Sequence, residues 1–271
     1  MYGGSLYRTH NYIVWEFWMR FHAKGYYPLD QEMRPQINND AGVAALEELI
    51  AVSRYLDPAV NSNEFFNNIQ SFSEGNRFAN FGWGGPYKFF IGDNSAIREH
   101  LITAIPPGGV IDGQVVRMPY NNWGWNYTIS SYTPHREIAY LYTLYAASPA
   151  GSRIALTQGV GGGGFFDPYL KSHITDPQIR AIYNDEFMQA QEFSLLNGIP
   201  DFYLDGRDEY FDALKEGIMA AYLQETSPRQ ALDLIAKEWD LITAKKGFDE
   251  QRLQWLFLRE HYPDSIKGYL K

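Results

Sequence analysis

The sequence contains no cysteine. Disulfides, thiolate metal sites and a cysteine nucleophile are therefore excluded, although this absence alone does not choose between a reducing and an oxidising compartment. A run of ~18 apolar residues, the minimum for a membrane-spanning helix, is also missing. The opening Met1-Tyr2-Gly3-Gly4 has neither the charged nor the apolar stretch of a secretion signal. Positive charge is scarce: 23 Lys and Arg face 32 Asp and Glu, the net charge is −9, and the longest basic run is Lys245-Lys246. Nucleic acid and anionic membrane surfaces are thus not expected partners. There is no internal repeat and no low-complexity linker.

Aromatic residues are abundant. Seven Trp, 20 Tyr and 17 Phe make up 16% of the 271 residues, more than a core needs. Exposed aromatics grip the apolar faces of ring-shaped ligands, although a Tyr-rich core or interface gives the same composition. The remainder is ordinary for a globular chain, 45% hydrophobic and 20% charged, long enough for one large or two modest domains.

Three helix starts share one signature, a capping residue followed by proline: Thr133-Pro134, Asp176-Pro177 and Ser227-Pro228. After Ser227, Gln230 closes a capping box, and Leu232, Ile235, Ala236, Trp239 and Ile242 mark one face of a helix running to about Lys245. After Thr133, Ile138, Leu141, Leu144 and Tyr145 predict an inward face in the same way. Further helices are expected from Asn39-Asp40, with Val43, Leu46, Leu49 and Ile50 inward, and after Asp208, with Phe211, Leu214 and Ile218 inward. Between them Arg77 to Trp83, Leu101 to Ile105 and Trp123 to Ile129 are short, aromatic or β-branched and bounded by Gly, Pro and Asn, which predicts strands. Helices, short strands and helices again indicate an α/β fold.

Most catalytic motifs fail on context. Gly159 to Gly164 satisfies G-x-G-x-x-G, but no strand precedes it and Phe165-Phe166-Asp167-Pro168 does not open a helix. A loop whose backbone approaches another group closely is the better reading. There is no Walker A lysine, no G-x-S-x-G and no H-E-x-x-H, and the six histidines show no metal-ligand spacing. Neither a metal nor a cofactor is expected. Asp167, Asp205 and Asp208 sit among aromatics and are candidates for the paired acids of a glycoside hydrolase. A turn role for Asp167 and a capping role for Asp208 explain them as well. Four aromatic loops remain, interleaved with amides and charges: 82–87, 121–126, 164–167 and 203–210. Sugars present apolar C–H faces and a hydroxyl rim, which Trp, Tyr, Asn, Asp and Arg are suited to hold. Any single Trp among them reads equally well as core.

The order of segments resembles the extracellular solute-binding proteins of bacterial ABC importers, in the carbohydrate-binding group similar to maltose-binding protein. Ile37-Asn38-Asn39-Asp40-Ala41-Gly42-Val43-Ala44-Ala45-Leu46 is similar to that family's asparagine and AAxxAL helix. Phe72 to Trp83 resembles its F-x-x-G-x-x-A-M strand leading to a ligand-facing Trp, and Ile105-Pro106-Pro107-Gly108 the turn that follows. Trp125 to Ile129, Pro134 to Ala139, Ala147-Ser148-Pro149, Asp176-Pro177 and Ser227 to Leu232 resemble its hinge strand and later helices.

The resemblance implies a periplasmic-binding-protein type II-like two-lobe α/β fold, helix-rich and incomplete, with one lobe mostly present and the other partial. Residues 1–126 would form one lobe, 127–200 the hinge crossing and partial second lobe, 201–246 the return, and 247–271 a helical tail. The chain opens where a second lobe is already under way, as expected of the C-terminal part of a longer protein or a chain truncated at an internal Met. It further implies carbohydrate or polar-solute binding without catalysis, delivery to ABC permease subunits, a periplasmic or cell-surface location and a monomer. Ligand contacts are expected from Trp83, Tyr87, Trp123, Trp125, Asn126, Phe166, Asp167, Arg207 and Tyr210. The loop 159–167 and the tail 249–271 depart from the maltose-binding type.

Overall fold

A computed structural model describes residues 1–121, 124, 126–158 and 165–271. In chain order the elements are α1 (Ile13–His22), α2 (Asp40–Val52), α3 (Phe65–Ser73), α4 (Tyr87–Phe90), β1 (Gly109–Ile111), β2 (Gln114–Val116), β3 (Tyr120–Asn121), α5 (Arg136–Ala147), α6 (Pro149–Thr157), α7 (Lys171–Thr175), α8 (Pro177–Arg180), α9 (Asp185–Asn197), β4 (Ile199–Pro200), α10 (Arg207–Tyr222), α11 (Pro228–Lys246), α12 (Phe248–Glu260) and α13 (Asp264–Lys267).

The main core is built where apolar residues recur at helical spacing. On α1, Ile13, Val14, Phe17, Trp18 and Phe21 are all fully buried. They meet Leu46 and Leu49 of α2, Tyr210, Phe211, Leu214 and Ile218 of α10, and Leu232, Ile235 and Trp239 of α11. Gly217 lets α10 and α11 pack closely, because a Cβ there would overlap Ile235. Capping follows the sequence: Asn39 Oδ1 accepts from the Gly42 N–H at 2.9 Å, and Ser227 and Gln230 close the box that starts α11. Asp176 caps the short α8 by accepting from the Gln178 and Ile179 amides. Asp208 is not the cap of α10. Gly206, at φ 81°, occupies that position, and Asp208 lies exposed in the first turn.

The tail belongs to this core. Trp255, Leu258, Tyr262, Ile266 and Leu270 are buried in it, the Trp255 indole donates to the Asp30 carbonyl at 2.8 Å, and the Lys271 amide donates to the Gly25 carbonyl at 2.9 Å. His22 is fully buried. Its Nδ1 donates to the Trp18 carbonyl at 2.8 Å, which leaves Nε2 to accept from the Tyr262 hydroxyl at 3.1 Å. Burial pulls its pKa down to about 4, so the ring is neutral.

The expected strands are corrected. Arg77 to Trp83 makes only isolated parallel bridges, Arg77 to Tyr2 and Asn80 to Ser5, and Leu101 to Ile105 forms no regular structure and no bridge among the described residues. Strand-type residues supply the propensity but not a partner, and Pro106-Pro107 removes two amide donors just beyond the second segment. In the third segment, Trp123 and Trp125 lie outside the described residues, and 126–129 is irregular. The strands among the described residues are β1 with β2, antiparallel, and β3 with β4, parallel.

Two smaller cores lie apart from the main one. Tyr87 packs with Leu156, Ile179, Tyr183, Phe187 and Met188, while Ile69, Phe72 and Phe90 form the other. Residues 65–101 therefore share packing with 156–188, and the boundary drawn at 126 does not coincide with a break between packing units. The helix expected after Thr133 also differs. It begins two residues later, with Thr133 Oγ1 accepting only from the His135 amide, and Ile138, Leu141, Leu144 and Tyr145 stay exposed.

Candidate ligand-binding site

The site is organised around Trp83, which is half-buried. Its ring stands edge-on to Tyr7 at 5.6 Å, Tyr12 at 6.3 Å and Trp15 at 6.3 Å, and tilts against Phe65 at 5.4 Å. Tyr12 and Trp15 come from the entrance to α1, one helical turn apart, and Phe65 opens α3. Such edge contacts fix a ring's orientation. Burial pushes the Tyr7 phenol up to about 12, so it stays a neutral hydroxyl.

The loop 165–167 crosses in front of 82–87, and two glycines permit it. A Cβ on Gly84 would lie 2.5 Å from Asp167 Oδ1 and 2.9 Å from the Phe187 ring; one on Gly85 would lie 3.3 Å from Phe165. This crossing places Phe165 against Phe65 and Phe66, at 5.8 and 5.5 Å. Asp167 Oδ1 is buried and has no hydrogen-bond partner among the described residues. Burial pushes its carboxyl up to about 6, within the range where it exchanges a proton near neutral pH. Beneath the crossing, the Tyr183 hydroxyl donates to the Phe166 carbonyl at 2.9 Å. Lys88, itself buried, donates to the carbonyls of Ala155 and Gln158 at 2.9 and 2.8 Å, with the exposed Phe166 ring 5.6 Å from its Nζ. Burial lowers the Lys88 pKa, and the two carbonyls at the end of α6 are the partners that hold the ammonium.

A polar chain leaves the aromatic cluster on its other side. Trp15 lies 6.0 Å from the Tyr120 ring, and the Tyr120 hydroxyl donates to Asp201 Oδ1 at 2.9 Å. Arg207 donates to Asp201 Oδ2 through Nε at 3.0 Å and Nη2 at 2.5 Å, and to Asp208 at 2.8 Å. Pairing of β3 with β4 is what brings Tyr120 and Asp201 together. Burial and the Asp201 carboxylate raise the Tyr120 pKa well above its ordinary value.

The structure thus gathers Trp83, Phe166 and Asp167 and links Arg207 to them through Trp15, Tyr120 and Asp201. Two expected contacts are corrected. Tyr87 is buried with its ring on Tyr183 and Phe187, at 5.4 and 4.5 Å, and Tyr210 is fully buried against Phe202 and Trp239, its hydroxyl engaged by Thr243 and Gln251. Both are core residues because their helices turn those positions inward. Asn126 is exposed, and Trp123 and Trp125 lie outside the described residues. Sequence reading missed Tyr7, Tyr12, Trp15, Tyr120 and Asp201. The i, i+3 aromatic pair at the start of α1 was a usable signal; the bond from Tyr120 to Asp201, 81 positions apart, left none.

Acid–base chemistry finds little purchase. Asp208, proposed as the partner of Asp167, has an 87% exposed side chain held by Arg207. Ser152 and His173 are buried 2.9 Å apart, but His173 Nδ1 accepts from the Tyr169 and Leu170 amides. The proton is therefore on Nε2, which donates to Ser152 and is not free to act as its base. Two shallow hollows elsewhere, one between Arg34 and Phe248 and one between Gln31 and Arg259, are lined by none of the site residues.

Comparison with known proteins agrees with the fold. No family model matches the sequence, and no curated protein matches it. Among solved structures, maltose-bound MalE3 of T. maritima matches with a TM-score of 0.74 at 19% identity, over 89% of this chain and 61% of that one. A ribitol-bound ABC-transporter solute-binding protein of Agrobacterium radiobacter matches with a TM-score of 0.73 at 18% identity, over 89% and 60%. A tagatose-bound solute-binding protein of Thermotoga lettingae gives 0.72 at 16%, over 89% and 59%. The chain has the helix-rich α/β fold of the type II solute-binding proteins of ABC transporters, in incomplete form. It spans about 60% of the length of the structures it matches. Among the described residues, no helix is long and apolar enough to cross a membrane.

Proposed function

We propose that this chain binds a carbohydrate or polyol at the Trp83 cluster and belongs to a solute-binding protein that hands its ligand to ABC permease subunits. The observation that carries this reading is the crossing of 165–167 over Gly84-Gly85, which sets an Asp167 oxygen with no hydrogen-bond partner among the described residues against Gly84, the neighbour in sequence of the half-buried Trp83. That is one apolar face and one acceptor, the pair a sugar ring with its hydroxyl rim requires. Trp83 and Phe166 stack on the ligand, Asp167 accepts from a hydroxyl, and Arg207 serves the rim. Trp123, Trp125 and Asn126 contribute further contacts, while Tyr87 supports the crossing through its packing on Tyr183 and Phe187. The fold is shared with proteins whose structures hold maltose, ribitol, mannitol and tagatose, which supports this ligand class. The protein performs no chemistry, works as a monomer without a cofactor, and operates in the periplasm or at the cell surface.

Titrating the chain with maltose, ribitol, D-mannitol and D-tagatose by calorimetry and tryptophan fluorescence tests this. One of them should bind saturably, with Trp83→Ala weakening affinity by roughly tenfold or more, the loss of one stacked aromatic. Unchanged affinity in Trp83→Ala, with far-ultraviolet dichroism intact, would overturn the site.

A further inference from the structure

The most anomalous surface is α5. From Ile138 to Ala147 it carries no charged residue, yet none of its residues is buried. Only Ala139, Thr143 and Ala146, spaced four and three apart, are half-covered, and α6 is the element that packs on the helix. A separate stripe of the helix presents Ile138, Leu141, Tyr142 and Tyr145, exposed by 67, 63, 64 and 56%. A helix apolar all round belongs in an interior, and a contiguous patch of this kind marks a contact surface. The preceding segment continues it, with Tyr132 94% exposed.

We infer that this face is an interior surface of the second lobe, covered by a helix-and-strand layer of the same fold. The layer corresponds to the part of the matched structures that these 271 residues do not span. Two observations commit the patch to this occupant. The matched structures extend well beyond the chain, which covers 61% of the first and 60% of the second. The face also carries no charge of its own helix, since the charges of α5 are confined to Arg136 and Glu137 in its first turn, and charged residues are depleted at the core of a permanent contact. The inference rests on the fold and not on the ligand, so a failed sugar titration leaves it standing.

Hydrogen exchange on the 271-residue chain, alone and expressed with the coding sequence that flanks it in its own gene, is the test. Alone, the chain should be monomeric by light scattering, and amides 138–147 should exchange faster than those of α11 by on the order of a hundredfold. With the flanking sequence, the same amides should become protected. Leu141→Glu should abolish that protection, whereas Glu137→Gln should not. A dimer of the chain alone with α5 already protected would overturn the inference in favour of a second copy. Persistent fast exchange with the flanking sequence present would overturn it outright.

Discussion

Helices α5 and α11 start from the same signals and end in opposite environments. Each follows a capping residue and proline, and each repeats apolar residues three and four apart. On α11 those residues, Leu232, Ile235, Trp239 and Ile242, lie in the core shared with α10, α2 and α12; on α5 their counterparts face outward. Periodicity reports which face is apolar, whereas burial depends on what the rest of the fold lays against it. The main core satisfies that second condition because its layers come from both halves of the sequence and because the last residue is tied back to Gly25.

The largest expected effect is a direct measure of this contrast. Trp255→Ala removes a fully buried indole and its bond to the Asp30 carbonyl and should cost about 3–5 kcal/mol in urea unfolding. Leu141→Ala on α5 should stay within about 0.5 kcal/mol. Comparable costs at the two positions would mean that α5 is covered in the isolated chain.

What was legible in the sequence follows the same division. The caps at Asn39 and Ser227 and the inward faces of α2, α10 and α11 are local facts, written within four residues, and the structure repeats them. The order of segments carried the fold class because it sampled separated positions from Ile37 to Leu232. Strands were misread because a strand needs a partner, and the partner of Tyr120 is Ile199, far along the chain. In the site, Trp83 and Asp167 stood out by composition. Their meeting depends on two glycines that a reading by residue type passes over, and Asp201 became visible only once β3 and β4 paired. Tyr210 is expected at the ligand only through the resemblance, and the direction of α10 turns it fully inward.

Asp167 separates a binding group from a structural one. Its carboxyl lies at about 6 in the folded chain against an ordinary 3.8. Between those values the native state holds more protons than the unfolded one, so stability falls as pH rises through that window and stays low above it. Asp167→Asn should therefore stabilise the chain near pH 7 by up to ~3 kcal/mol and give almost nothing near pH 4. Ligand affinity should move the other way. A carboxylate that accepts a hydroxyl loses this role on protonation, so binding should weaken as pH falls below about 6 in the parent chain and become pH-independent there in the Asn variant. A variant that gains no stability near pH 7 would show that Oδ1 is already satisfied.

The capping residues provide the smallest and most local comparison. Ser227 accepts from the Gln230 amide, and Gln230 reaches back to the Ser227 amide, so each satisfies a donor the helix start would leave open. Ser227→Ala should cost ~1 kcal/mol, and the whole of it should register in global unfolding because α11 crosses the main core. Thr133 stands two residues before its helix proper, with one acceptance at 3.2 Å from the His135 amide. Thr133→Ala should shift unfolding by no more than a few tenths of a kcal/mol, since α5 frays without exposing anything the main core needs. A Thr133→Ala loss equal to that of Ser227→Ala would couple α5 to the rest of the fold, and the exposed face would then have to be covered in the chain alone. With the flanking sequence present, the Thr133 cost should rise toward the Ser227 value, because a covered helix passes its local stability on to the whole domain.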